Sequence, residues 1–349
     1  MPKTVLAIDT SCDETAAAVV NGRRVLSNVI YSQVLMHKEW GGVVPSIARR
    51  GHEERIGWVV DEALKKSKVL LNEIDAIAIT YGPGLAIALE VGITYALELS
   101  KKQGKPIVRV NHMEGHLYSP FVQNSKGNPE RDFKFPYLGL LVSGGHTELV
   151  LFKDHLKYEI LGETVDDAAG EALDKAARML GFGYPGGPVI ERLAKQVENT
   201  DKYIFPRPMM KSGDLNFSFS GLKTALLYKI RKMDDTEKNR EIAYLASSFQ
   251  EAVFKTLVKK TEKAISETGV NHLLVGGGVA VNQYLRRMMR SLAKKHNGTV
   301  YFPPLKFLNY DNAAMIGIVG AMRAEKGLFV EDEKELDRVP RLSLLQSSI

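Results

Sequence analysis

The chain has 349 residues, 44% of them hydrophobic and 25% charged, a formal net charge of +6, and a single cysteine. That length carries a sizeable core and suggests two domains or lobes, while no apolar run is long enough to span a bilayer. The lone Cys12 excludes an internal disulfide and fits a reducing, cytoplasmic setting; the basic balance suits a polyanionic partner and an ordinary basic enzyme alike.

In chain order, Met1 to Ile8 lacks a cleavable signal pattern and reads as a first strand. Thr4-Val5-Leu6-Ala7-Ile8-Asp9-Thr10-Ser11 runs through Cys12-Asp13-Glu14-Thr15 into Ala16-Ala17-Ala18-Val19-Val20, a strand, small polar turn and strand. Asp9, Asp13 and Glu14 are read evenly as cleft carboxylates or as turn formers, and Cys12 as a packing residue, because no neighbouring base supports a thiolate. A helix is expected from Ile47 to Lys66. Next, Ala76-Ile77-Ala78-Ile79-Thr80 runs into Gly82-Pro83-Gly84 and a further helix.

The most informative segment is His112-Met113-Glu114-Gly115-His116, after the apolar run that begins at Pro106. If a helix starts near Asn111, both imidazoles project from one face, a turn apart, and can share a divalent metal. On spacing alone, a pair of surface or capping histidines reads as well. Glu114 lies mid-turn, toward another face, so the general base of a zinc protease is not in its usual place.

The second half repeats the first. Tyr137 to Gly145 leads through His146-Thr147-Glu148 into Leu149-Val150-Leu151-Phe152, and Leu273-Leu274-Val275 leads through Gly276-Gly277-Gly278 into a helix around Asn282 to Leu292. Ser143 lies 132 residues after Ser11, but Gly276 lies 194 after Gly82. The second half therefore carries an insert, placed between about Thr164 and Asn239. Paired Gly- and Ser-rich turns leave backbone N–H groups for phosphate oxygens and suggest a nucleotide cleft between lobes. The apolar, small-residue stretch from Asn312 to Ala321 is expected to form a closely packed helix between the lobes. Three groups of basic residues offer themselves to a polyanion: Lys223, Lys229, Arg231 and Lys232; Arg286, Arg287, Arg290, Lys294 and Lys295; and His37, Arg49, Arg50 and His52.

Ten segments in order resemble the tRNA threonylcarbamoyladenosine transferases, once called O-sialoglycoprotein endopeptidases. They are Ala7 to Thr15, Trp40-Gly41-Gly42-Val43-Val44-Pro45, Gly82-Pro83-Gly84-Leu85, His112 to His116, Val142-Ser143-Gly144-Gly145-His146-Thr147, Asp166 to Lys175, Tyr184-Pro185-Gly186-Gly187-Pro188, Phe217 to Thr224, Gly276-Gly277-Gly278-Val279 and Asp311 to Met315. The Trp40 and Asp166 segments are similar to the bacterial branch.

The resemblance implies a duplicated two-lobe α/β fold of the actin, sugar kinase and heat-shock ATPase type. Residues 1–134 would form the first lobe, completed by a helix at about 312–330, and residues 135–311 the second, with the insert at about 164–239. It makes His112, His116 and Asp311 ligands of one divalent metal, Fe²⁺ ahead of Zn²⁺, with no catalytic residue apart from that site. Leu141, Val142, Ser143, Gly144 and Gly145 would meet the phosphate and carbamoyl end of threonylcarbamoyl-AMP, and Asp174, Gly187, Glu191 and Asn282 its adenosine. The implied reaction moves the threonylcarbamoyl group to the exocyclic amine of the adenosine beside the anticodon in tRNAs reading codons that start with A, releasing AMP. A smaller paralogue of the same fold and a P-loop ATPase would be partners. A metal-dependent glycoprotease and a nucleotide-binding scaffold of the same fold are the alternatives. The chain departs from the family in Asn309 and Tyr310, where Cys-Thr is usual, and in Ser46, where Glu is usual. Asp311 doubles as a candidate helix cap.

Overall fold

A computed structural model describes residues 2–40 and 42–347; Gly41, inside the Trp40-Gly41-Gly42 segment, lies outside them. The chain opens with β1 (Thr4–Asp9), β2 (Glu14–Asn21), β3 (Arg24–Ser32), α1 (Val34–His37), α2 (Pro45–Ser67), β4 (Ala76–Gly82), α3 (Ala86–Gln103), β5 (Ile107–Asn111) and α4 (His112–Tyr118). It continues with β6 (Tyr137–Val142), β7 (Thr147–Asp154), β8 (Lys157–Glu163), α5 (Ala169–Met179), α6 (Gly187–Gln196), α7 (Ser220–Arg231), α8 (Asp235–Thr268), β9 (His272–Gly276), α9 (Gln283–Lys295), β10 (Thr299–Tyr301) and α10 (Ala313–Glu325). Met1–Phe133 with Pro303–Ile349 form one unit and Lys134–Phe302 the other.

The duplication read from the sequence is present strand for strand. The first sheet has the order β3-β2-β1-β4-β5 and the second β10-β9-β6-β7-β8, which is the same order run from the other edge. In each sheet a central strand pairs antiparallel with the next strand in sequence and parallel with the strand that follows the long helix. The central strands β1, β4 and β6 are buried almost throughout, so they read as continuous apolar runs. The surplus of the second half consists largely of α5, α6 and α7, which stand before α8, where the first half has only α1 before α2.

In the first unit α2 and α3 bury Ile56, Val59, Leu89 and Ile93 against the sheet. The small-residue stretch expected to be helical is α10, and it packs on β1, β2 and β4 of this unit. Its composition follows from the closeness of that contact. A Cβ on Gly320 would stand 2.4 Å from Ala78 Cβ, and one on Gly317 2.8 Å from the Val20 methyls. Residues 303–311 also belong to this unit, which carries Asp311 into it. In the second unit α8 supplies Phe249, Val253 and Leu257 to a core shared with α5, α6 and α9. Among the described residues no helix is long and apolar enough to cross a membrane.

One buried charge in the second sheet has a measurable consequence. Glu148 of β7 faces Glu163 of β8 directly across the strands and is 8% exposed, with one oxygen lacking a hydrogen-bond partner. Burial first, and the Glu163 charge second, push its carboxyl up to about 7. A carboxyl raised in the folded state stabilises the fold in its protonated form, and that contribution is lost as pH climbs from about 4.5 to about 7. Glu148→Gln is therefore expected to raise the melting temperature at pH 8 but hardly at pH 5. The gain reaches at most about 3 kcal/mol, since each tenfold change in proton affinity is worth about 1.4 kcal/mol. Thermal melts across that range check it, and an offset that stays constant with pH contradicts it.

Candidate metal centre

Strand β5 ends at Asn111, whose side-chain oxygen accepts hydrogen bonds from the N–H groups of Met113 (2.8 Å) and Glu114 (3.4 Å). This is an N-cap, and it starts α4 at the residue after it, as the His-x-x-x-His reading required. His112 and His116 thus share a helix face, with ring centroids 4.8 Å apart and planes at 87°. They are 6% and 0% exposed. The helix lies close on α10, because a Cβ on Gly115 would stand 3.0 Å from Ile316 and Met315.

Asp311 arrives just before α10. It is not the cap of that helix, as the sequence allowed: Asn312 is, its side chain accepting from Met315 N at 3.1 Å. The Asp311 carboxylate is left for other work, and one oxygen, Oδ1, lies 3.3 Å from His112 Nε2 and 3.5 Å from His116 Nε2. Ligand atoms about 2.1 Å from one metal stand roughly 3.0–3.4 Å apart in octahedral or tetrahedral geometry. The three side chains meet within 4.8 Å and form the one metal-compatible group of this kind among the described residues. His116 is fully buried with neither ring nitrogen hydrogen-bonded. An unsatisfied buried polar atom costs about 1–3 kcal/mol, and a metal bond to Nε2 removes one such deficit. The donor set of two imidazoles and one carboxylate fits Fe²⁺ or Zn²⁺.

His112 is further held from behind. Its Nδ1 lies 3.0 Å from Ser11 Oγ and 3.3 Å from Asp9 Oδ2, and Asp9 Oδ1 accepts from Ser11 N at 3.1 Å. Thus Asp9, left open in the sequence, faces the site and orients a candidate ligand, while Ser11 carries no sequence signal for that task. Burial alone would push the His112 imidazole down, but Asp311 and then Asp9 hold it well above its ordinary value. Burial dominates at His116 and lowers it. Burial would also raise Asp311, yet His112 and His116 hold it well below the usual carboxylate range. Net negative charge around two imidazoles is the setting for a cation. Cys12 stays a thiol: burial first, then Asp13, Asp311 and Glu14, push it well up. Glu114 is fully buried and pairs with Arg323 at 3.1 Å, away from the ligand atoms.

The second unit gathers the remaining sequence-derived residues. Leu141 and Val142 end β6. Ser143 Oγ accepts from His146 N at 3.1 Å and closes the turn. Gly144 and Gly145 are exposed, with open space where a Cβ would stand. Among the described residues no protein acceptor takes their N–H groups. The N-terminus of α5 is tied to this turn by Gly170 N to Ser143 O at 3.2 Å and Ala169 N to Thr147 Oγ1 at 2.9 Å. Gly277, at φ 94°, brings the next turn against Val142, whose carbonyl oxygen would lie 2.4 Å from a Cβ there.

From α5, Asp174 Oδ1 accepts the N–H groups of Gly186 (2.7 Å) and Gly187 (3.1 Å), which fixes the start of α6. From α6, Glu191 Oε1 accepts Gln283 N at 2.7 Å at the start of α9. Asn282 caps that helix through Tyr284 N and Leu285 N and donates to Gln250 Oε1 at 2.8 Å. Asp174, Gly187, Glu191 and Asn282, far apart in sequence, are therefore joined through the starts of two helices, α6 and α9. Each also has a structural task, which sequence spacing could not show.

Fold and site together define a two-unit α/β protein of the actin, sugar kinase and heat-shock ATPase fold, with a His-His-Asp group in its first unit. A structure of HypF from T. kodakarensis superposes with a TM-score of 0.63 at 15% identity, covering 93% of this chain and 48% of that one, which shows the fold alone. The sequence model for tRNA N6-adenosine threonylcarbamoyltransferase matches residues 24–318. Proteins of that name from Thermosipho africanus and Clostridioides difficile are 47% and 48% identical, covering 97% and 98% of this chain and 99% and 98% of theirs. The chain belongs to the tRNA N6-adenosine threonylcarbamoyltransferase family and is a transferase that modifies adenosine in tRNA.

If Asp9 and Ser11 set the orientation of His112, Asp9→Asn should weaken metal binding about 10–100-fold, as loss of such partners does elsewhere. Titration of the metal-free protein with Zn²⁺ or Co²⁺ measures this. Affinity equal to wild type contradicts the assignment.

Proposed function

We propose that the chain transfers the threonylcarbamoyl group of threonylcarbamoyl-AMP to the exocyclic amine of the adenosine beside the anticodon in tRNAs reading codons that start with A, releasing AMP. The observation that carries this reading is the group of buried His112 and His116 with the half-buried Asp311, backed by Asp9 and Ser11, in a chain of this family. His112, His116 and Asp311 would hold one divalent ion, Fe²⁺ ahead of Zn²⁺. When bound, such an ion supplies Lewis acidity toward a carbonyl oxygen that gains negative charge.

The chain's own residues supply binding and orientation. The free N–H groups of Gly144 and Gly145, with the Ser143 hydroxyl, suit the phosphate and carbamoyl end of the donor. The adjoining start of α5 adds its dipole. Asp174 spends one oxygen on Gly186 and Gly187, and its second oxygen is directed to the ribose hydroxyls in this reading. Gly187, Glu191 and Asn282 complete the adenosine end, with Glu191 and Asn282 acting through the start of α9 that they hold. An aromatic amine is a weak nucleophile, so holding donor and acceptor together supplies much of the rate.

A smaller paralogue of the same fold and a P-loop ATPase are the proposed protein partners, and the cytoplasm, where tRNA resides, the proposed location. The glycoprotease alternative loses support from Glu114, which is spent on Arg323 and does not face the ligands. The test supplies labelled threonylcarbamoyl-AMP and an unmodified tRNA, with and without the two partners. Transfer by wild type that falls by at least about a thousandfold in His112→Ala with His116→Ala supports the reading, on the scale of losing an electrostatic catalytic group. No transfer under either condition, or full transfer by the double variant, overturns it.

A further inference from the structure

The sequence offers three basic groups to a polyanion, and the structure separates them. In the first, His37 and His52 are fully buried, His52 between Thr15 Oγ1 (2.8 Å) and the Cys12 carbonyl (3.0 Å). Arg49 and Arg50 are spent on Glu53 and Glu54, each at 2.8 Å. In the second, Lys223 is ion-paired with Asp167, and Arg231 and Lys232 are the two of the four that are exposed without an ion pair among the described residues. The third group, on α9, differs. Its thirteen residues hold three arginines, two lysines and no carboxylate.

Leu285, Met289, Leu292 and Ala293 bury one face of α9. Arg287, Arg290 and Lys294 follow at helical spacing on the opposite face, and all three are exposed. Among the described residues none of the three has a carboxylate within ion-pairing distance, whereas Lys295 is paired with Glu262 at 2.6 Å. Arg290 lies 5.3 Å over the Phe302 ring and Arg287 5.4 Å over the Tyr284 ring. Such contacts hold guanidinium groups in place without neutralising them. Like charges a turn apart cost a helix a few tenths of a kcal/mol each, a cost that a bound polyanion reverses.

We infer that the Arg287, Arg290 and Lys294 face of α9 is a docking surface for the phosphate backbone of the tRNA substrate. This rests on the proposed function and extends it. The helix begins at Asn282, and Glu191 holds its first N–H, so the cationic face starts where the donor's adenosine is proposed to sit. From Arg287 to Lys294 the face runs about 10 Å along the helix axis, enough to meet neighbouring phosphates of one strand. The partner is a polyanion with regularly spaced charges, and tRNA is the one the reaction needs.

The test compares wild type with Arg287→Gln, Arg290→Gln and Lys294→Gln combined, using an unmodified tRNA transcript over a range of salt. A second triple variant, Lys65→Gln, Lys68→Gln and Lys102→Gln, removes the same charge from the first unit. Loss of three phosphate contacts is expected to weaken tRNA binding about 30-fold or more at low salt and to lower the slope of log affinity against log salt by about 2–3. The donor's dissociation constant and the melting temperature should stay at wild-type values. Equal affinity and slope in the α9 variant, or an equal loss in the control variant, overturns the inference while leaving the transferase reading standing. A wild type that binds no tRNA at low salt, either alone or with the two proposed partners, overturns both.

Discussion

The two asparagine caps fix where the His-His-Asp group sits. Asn111 ends the last strand of the first sheet and starts α4; Asn312 follows the last strand of the second repeat and starts α10. Each amide oxygen takes an N–H that the helix itself leaves unpaired. The residue after the first cap is His112 and the residue before the second is Asp311, so duplicated strand-to-helix joints bring candidate ligands into one group. The cap on Asn312 also releases Asp311 from capping and lets it face two imidazoles. Asn111 does more than cap: its amide nitrogen donates to Ser343 O at 3.2 Å and Ser347 Oγ at 2.8 Å. Arg323 ties Glu114 and the Ser347 carbonyl together, so the chain beyond α10 braces the helix that carries the histidines.

Much of this was legible in the sequence because it is periodic or local. Two histidines four apart after an apolar run specify a shared helix face once Asn111 caps it. The strand-turn-strand and strand-glycine-helix echoes specify the duplicated sheet, since β pairing follows hydrophobic runs and turn chemistry. The surplus between Thr164 and Asn239 falls where α5, α6 and α7 stand.

What the sequence hid is non-local. Ser11 and His112 are 101 residues apart and Arg323 and Glu114 are 209 apart, and no spacing rule joins them. Asp311 looked like a cap because Asp is a common capping residue, and its neighbour Asn312 took that place. Charge counting gave three equal basic groups, since a sequence does not show which lysines and arginines meet a carboxylate. Asp174, Glu191 and Asn282 show the same limit from the other side. Their polar side chains hold helix starts, and a binding role must operate through atoms left over or through the backbone they fix.

The most direct measurement is X-ray absorption at the metal edge of the purified protein loaded with one equivalent of Fe²⁺ or Zn²⁺. The account predicts nitrogen and oxygen neighbours at about 2.0–2.2 Å, with imidazole scattering that diminishes in His116→Ala. A sulfur neighbour near about 2.3 Å, which only Cys12 or a methionine among this chain's residues has the atom to provide, would contradict it. So would a spectrum unchanged by loss of His116.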